Sequence, residues 1–313
     1  MTSLDFKALL KQEKIRHLAE LSVERDTAAE SRSTRDAGNQ APKHGNLRRA
    51  SFNGAGDITT VNSTNESSSS LREVVNGPIL DMVNIRLPAT RSIFYAPGFV
   101  SESQAQHILS RLYDTESGKG GIVHAGDSAW LALKSRRLQS WGGQPGEDFR
   151  QDPLPVWMEN LCDALVARGA FPSEGRPNHV LINEYMPGQG IMPHTDGPCY
   201  EPRTATLSLG GDAIMHFSPR VAAEDIGRAG VDTRVRESVV LRERCLVIFA
   251  EEAYSRMLHG IDAVAAETVG AKGAAVANGI VADAPDGTLI RRRLRVSLTF
   301  RRTAKVPCKA SVS

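Results

Sequence analysis

The feature that most restricts this chain is a run of short segments of strand length that begins at His179. "HVLINEYM", "TATLSLGG", "DAIMHFSP", "CLVIFAEE" and "IRRRLRVSLTFRR" follow one another, several of them separated by turn residues. They are rich in β-branched and aromatic residues, which suit a pleated surface. Two helical stretches precede them. "SESQAQHILSRLYD" opens with a capping-box pattern, Ser101 to Gln104, and sets Ala105, Ile108, Leu109 and Leu112 on one face. "LPVWMENLCDALVARG" is the second, stopped by Gly169. Helices followed by a run of strands predict an α+β protein built on an antiparallel sandwich or barrel. The Ala/Gly-rich stretch Ala265 to Asp286 interrupts the run and is expected to be a surface insertion.

The 313 residues suffice for one large domain plus a tail. In the first 80 residues, Phe6, Leu9, Leu10, Leu18 and Leu21 recur at helical spacing. They predict one short helix, either solvent-exposed or folding on a protein partner. The Ser-, Asn-, Gly- and Thr-rich stretch that follows has too few large apolar residues to offset the entropy of ordering, and reads as a disordered linker. The expected domain runs from 81 to 305, with a short tail from 306 to 313. A net charge of +2 excludes a polyelectrolyte binder, so any basic patch must be local. Four scattered cysteines without a CxxC pair exclude a zinc ribbon and a disulfide scaffold, and fit a reducing compartment. Neither a signal peptide nor an apolar run of membrane-spanning length is evident. The expectation is a monomer of the cytoplasm, the nucleus or both.

Strand alternation places side chains two apart on one face. In "LRVSLTFR", Arg295, Ser297, Thr299 and Arg301 share a face, and Val296, Leu298 and Phe300 share the other. Leu181, Asn183 and Tyr185 alternate in the same way. "IMPHTDGP" sets His194 one residue from Asp196 after a Gly/Pro-rich turn, and "MLHGI" supplies His259. Two imidazoles and one carboxylate are the facial triad of non-haem Fe(II) oxygenases. Polar residues on ordinary loops would look the same. The arginine-bearing strand adds weight, because a planar guanidinium fork matches the far carboxylate of a chelating keto acid.

Asn183-x-Tyr185, His194-x-Asp196, "SLGG" at Ser208 to Gly211, "LHGI" at Leu258 to Ile261 and Arg295-x-Ser-Leu-Thr-x-Arg301 occur together in one order. That order and spacing resemble the AlkB family of Fe(II)/2-oxoglutarate dioxygenases, and "EYMPGQGIMPHTDGP" and "RLQSWGG" resemble its homologue-6 branch. The resemblance covers about Asp81 to Lys305. It implies a double-stranded β-helix, or jelly roll, flanked by helices. It implies His194, Asp196 and His259 as the catalytic iron ligands. Arg295, helped by Tyr185 and Ser297, would take the distal carboxylate of 2-oxoglutarate. Asn183 and Arg301 would lie near its chelated end, and Thr299 would line the same pocket. The implied reaction consumes O2 and 2-oxoglutarate, yields succinate and CO2, and hydroxylates a C–H bond, often of an N-methyl group.

Relatives that repair bases flip them into a pocket. The expected substrate is therefore an alkylated base in single-stranded RNA or DNA; a protein side chain, or nucleic-acid binding with little turnover, are the other readings. Trp130, Trp141 and Tyr200 are the candidate stacking residues, with Trp141 equally readable as core. Lys134, Arg136 and Arg137 are candidate phosphate contacts or a plain solvated face. One departure stands out: where several base-repairing relatives carry an acidic residue two positions after the second ligand, this chain has Pro198.

Overall fold

The alternating segments assemble into two facing sheets. The computed structural model describes residues 77–82, 86–87, 92–114, 130–143, 151–197, 199–221, 237–273 and 275–303. The predicted N-terminal helix, most of the linker and the C-terminal tail lie outside the described residues. The major sheet holds β1 (Ile93–Ala96), β2 (Leu131–Ala132), β3 (Arg137–Trp141), β4 (His179–Tyr185), β6 (Tyr200–Leu209), β9 (Leu246–Ala250) and β14 (Arg295–Thr303), in the order β1-β9-β6-β14-β4-β3-β2. The minor sheet holds β5 (Ile191–His194), β7 (Ala213–Pro219), β8 (Glu237–Leu241), β10 (Met257–Ile261) and β12 (Ala275–Val276), in the order β12-β8-β7-β10-β5. A ribbon pairs β11 (Ala266–Thr268) with β13 (Leu289–Arg291). Among the described pairings, only β12 with β8 is parallel.

Both expected helices form. α1 (Glu102–Asp114) starts on the predicted capping box. The Ser101 N–H donates to Gln104 Oε1 at 2.8 Å, and the Gln104 N–H donates to Ser101 Oγ at 3.2 Å. α2 (Val156–Ala167) ends on Gly169 at φ 81°, where the Ala170 N–H reaches back to the Leu165 carbonyl at 2.8 Å. A third helix, α3 (Glu251–Arg256), was not expected: "CLVIFAEE" leaves its strand after Ala250. "IRRRLRVSLTFRR" also divides, giving β13 and β14.

Three layers result. Ile108, Leu112, Met158, Leu161 and Leu165 of α1 and α2 pack on Val180, Ile182, Ala205, Leu207, Val296, Leu298 and Phe300 of the major sheet. On its other side, Ile93, Tyr95, Val247 and Phe249 pack against Met215, Phe217, Val239 and Leu241 of the minor sheet. The major sheet is thus covered on both faces, and the polar half of its alternation points into the protein rather than into water. The 265–286 segment also differs from a plain surface insertion. Asn278 bonds the Val240 backbone with both ends of its amide at 2.8 Å, and Val269, Ala282 and Ala284 are buried. An amide that pairs both backbone groups at a strand edge docks the segment there. No helix among the described residues is long and apolar enough to cross a membrane.

Candidate active site

The polar face of β14 lies between β6 and β4. Ser297 stands between Ser208 and Asn183, Thr299 between Thr206 and Leu181, and Arg301 between Thr204 and His179, while Arg295 pairs with Tyr185. Burying such a row demands partners from neighbouring strands, and Thr204, Thr206 and Ser208 on β6 supply hydroxyls. Arg295 Nη2 donates to Ser208 Oγ at 2.8 Å.

At one end of this buried polar row β10 and β5 bring His259 and His194 into direct cross-strand register. Their ring centres lie 4.3 Å apart. Asp196 follows on the loop, and one ligand atom from each of the three lies within 4.8 Å of the others. The His194 Nδ1–H donates to the Met192 carbonyl at 2.8 Å, a contact that assigns the tautomer and leaves Nε2 its lone pair. Burial, then the neighbouring His194, pulls His259 down to about 3, so it is a neutral imidazole at neutral pH. Burial also lowers His194. For Asp196 burial acts upward, but Arg301, His259, His194 and the Thr204 hydroxyl outweigh it and hold the carboxyl well below the usual range. Arg301 Nη2 and Thr204 Oγ both donate to this carboxylate, the latter at 2.6 Å.

Backbone features fix the two histidines. The β10–β5 register slips between His259 and Ile261. A Cβ on the intervening Gly260 would stand 2.9 Å from the Pro193 nitrogen and 3.0 Å from the Ile191 carbonyl, so only glycine fits. Phe249 lies 4.6 Å from the His259 ring, giving the triad an apolar wall. Tyr254 Oη donates to the Gly197 carbonyl at 3.0 Å and ties down the loop behind Asp196.

The opposite end of the row has a cation without an anion. Arg295 is 2% exposed, its Nε has no hydrogen-bond partner, and no carboxylate pairs with it among the described residues. A buried guanidinium without a carboxylate is costly on its own. This chemistry fits a dicarboxylate reaching in from the triad: neutral imidazoles and a carboxylate for the metal, an orphaned cation at the far end.

A family model described as the 2OG-Fe(II) oxygenase superfamily matches residues 92–301, from the start of β1 to Arg301. The chain belongs to that superfamily. Within it the chain is AlkB-like, being 33% identical over 220 residues to "Probable RNA/DNA demethylase ALKBH6" of Danio rerio, which covers 70% of this chain and 88% of that one. It is 31% identical over 189 residues to "tRNA (carboxymethyluridine(34)-5-O)-methyltransferase ALKBH8" of Macaca fascicularis, covering 58% of this chain but 26% of that longer protein. Among solved structures, OsALKBH1 aligns with a TM-score of 0.40 and 16% identity over 68% of this chain and 99% of its own. The oxygenase uses Fe(II), with 2-oxoglutarate and O2 as co-substrates.

The expected nucleic-acid contacts of this oxygenase need correction. Lys134 is exposed. Arg136 is only 8% exposed, and its Nε donates to Asn183 Oδ1 at 3.0 Å inside the cavity. Arg137 turns to the helix side, where it grips Glu184 at 2.6 and 2.9 Å and lies 4.3 Å over the Trp130 ring. Arg136 is therefore not the solvated residue that the sequence suggested, while Arg137 keeps about a third of its side chain exposed beside its ion pair. Trp141 is 4% exposed in the helix-side core, its Nε1 donating to Gln139 at 3.0 Å, and it offers no face for stacking. Tyr200 is buried against the Arg301 guanidinium, 5.0 Å from its ring centre. Pro198 lies outside the described residues. Sequence reasoning missed Thr204 and His179, which become visible only once β6 and β4 flank β14.

Proposed function

We propose that this oxygenase removes an alkyl group oxidatively from a base in RNA or DNA, with His194, Asp196 and His259 holding iron and Arg295 holding the distal carboxylate of 2-oxoglutarate. The observation that carries the assignment is a compact His/Asp/His set that meets, through Arg301, a buried polar row of β14 at whose other end Arg295 pairs with no carboxylate among the described residues. Bound iron supplies oxidation of a C–H bond coupled to loss of CO2 from 2-oxoglutarate. The chain's own residues do the rest. Arg301 and Thr204 keep Asp196 ionised and oriented. The Met192 carbonyl sets the His194 ring. Asn183, Tyr185, Ser297 and Thr299 line the path of the co-substrate. Phe249 and Phe217 screen His259 from water. A hydroxylated N-methyl carbon then departs as formaldehyde, and the base keeps its nitrogen.

The nucleic-acid substrate is supported by the names of the zebrafish RNA/DNA demethylase relative and of the tRNA-modifying relative, while buried Arg136 leaves phosphate contacts to other residues. The test incubates wild type and His194→Ala with Fe(II), 2-oxoglutarate and a pool of methylated oligonucleotides. Loss of methyl groups with wild type alone is expected. Succinate formed with cell peptides but never with oligonucleotides would transfer the proposal to a protein substrate.

A further inference from the structure

Arg136 is the residue whose place in the molecule departs most from its expected place, and its geometry suggests another role. β3 pairs Arg137 with Glu184 and Leu138 with Asn183. Parity therefore sends Arg137 to the helix side and Arg136, with Leu138, to the cavity side. Arg136, the residue just before β3, reaches Asn183. Its Nε–H donates to Asn183 Oδ1. Guanidinium nitrogens can only donate, so the contact fixes which end of the Asn183 amide faces it. The oxygen points to Arg136 and the NH2 points away, and nothing among the described residues accepts from that NH2. Asn183 is held in the orientation that presents two donors to an incoming acceptor. Its cross-strand partner Ser297 lies on the same polar row as Arg295.

We infer that Arg136 is a positioning residue for the co-substrate. It locks the Asn183 amide so that its NH2 meets a carboxylate oxygen of 2-oxoglutarate, and it thereby couples the β2–β3 hairpin to co-substrate binding. This rests on the reading of the cavity as the 2-oxoglutarate site. Without Arg136 the amide rotates freely, and half of its orientations turn the carbonyl oxygen toward the carboxylate.

The test measures 2-oxoglutarate binding to the Mn(II)-loaded full chain by calorimetry, and melting temperature alongside. Arg136→Ala should weaken binding about tenfold, the effect of losing one well-made hydrogen bond to a charged group. Arg136→Gln is the discriminating variant. Its Nε2 sits the same number of bonds from the backbone as the arginine Nε, so it can donate to Asn183 without a charge. It should bind within about threefold of wild type. The double variant Arg136→Ala/Asn183→Ala should bind no worse than Asn183→Ala alone, because Arg136 acts through Asn183. Equal loss in the Gln and Ala variants, or additive losses in the double variant, would overturn the inference. So would unchanged affinity in Arg136→Ala. If Arg136→Ala does not fold, Arg136→Gln decides, measured alone and in the Asn183→Ala background, where it should add no further loss. Failure of the underlying reading is separable, because wild type itself would then bind no 2-oxoglutarate.

Discussion

β14 carries two buried arginines, each with an unpaired Nε, and among the described residues a carboxylate pairs with one but not with the other. Arg301 meets the Asp196 carboxylate and covers the Tyr200 ring. Arg295 meets the Ser208 hydroxyl and lies 5.7 Å over the Tyr185 ring, with no carboxylate paired to it among the described residues. Both sit on the same face of the same strand, both are nearly inaccessible, and burial opposes the charge of each. The difference is therefore not one of position but of pairing. A buried arginine that the chain neutralises belongs to the architecture of the site. A buried arginine that the chain leaves without an anion is a receptor for one, because the fold carries an electrostatic cost that a ligand removes.

The largest effect should follow from breaking the completed end. Arg301→Ala leaves Asp196 as an uncompensated buried carboxylate and should cost about 3–5 kcal/mol of metal-free stability in urea unfolding. A loss below about 1 kcal/mol would erase the distinction between the two arginines. Arg295→Ala should do the reverse. Its stability should change little, while 2-oxoglutarate binding measured by calorimetry on the Mn(II) form weakens by about 2–5 kcal/mol. Unchanged affinity would place the co-substrate elsewhere. Val296→Ala on the opposite face is the control, expected to lower stability by about 2 kcal/mol through lost methyl packing while leaving co-substrate affinity alone.

The smallest effect concerns His179, the cross-strand neighbour of Arg301. Burial, then the Arg301 charge, brings it down to about 3. The unfolded chain protonates this histidine below roughly 6.5 while the folded chain does not. Its contribution is therefore intact above the unfolded value and is lost as pH falls, by about 1.5 kcal/mol at pH 5.5. His179→Gln should flatten the stability profile between pH 6.5 and 5 by one proton's worth. An unaltered slope would mean that His179 is charged in the fold, and the completed end would then hold one cation too many.

Much of this arrangement is legible in the sequence, for definite reasons. The Ser101–Gln104 box and Gly169 announce both helix ends through local chemistry, which needs no tertiary information. The period of two in "RVSLTFR" separates the faces of β14 correctly. Period alone cannot say whether a polar face looks at water or at the interior. That depends on what lies across the sheet, which is why Arg136 reads as a surface residue and Trp141 reads equally as rim or core. A basic pair such as Arg136-Arg137 also looks like one patch in sequence, whereas a strand sends its members to opposite sides. The docking of 265–286 escaped because an Ala/Gly-rich stretch carries little hydrophobic pattern, and Asn278 works through its amide rather than through burial of apolar surface.

The joint between the two histidines has its own consequence. Pro193 brings no N–H to the β5–β10 seam, and Gly260 brings no side chain. The residues flanking the two ligands are chemically mute on the sides that touch. Nothing there can repack, change rotamer or acquire a competing hydrogen bond. The spacing of the imidazoles is consequently a property of the main chain, set like the gap of a calliper when the strands pair. Side chains around the pocket are free to diverge in what they admit without altering where the metal would sit.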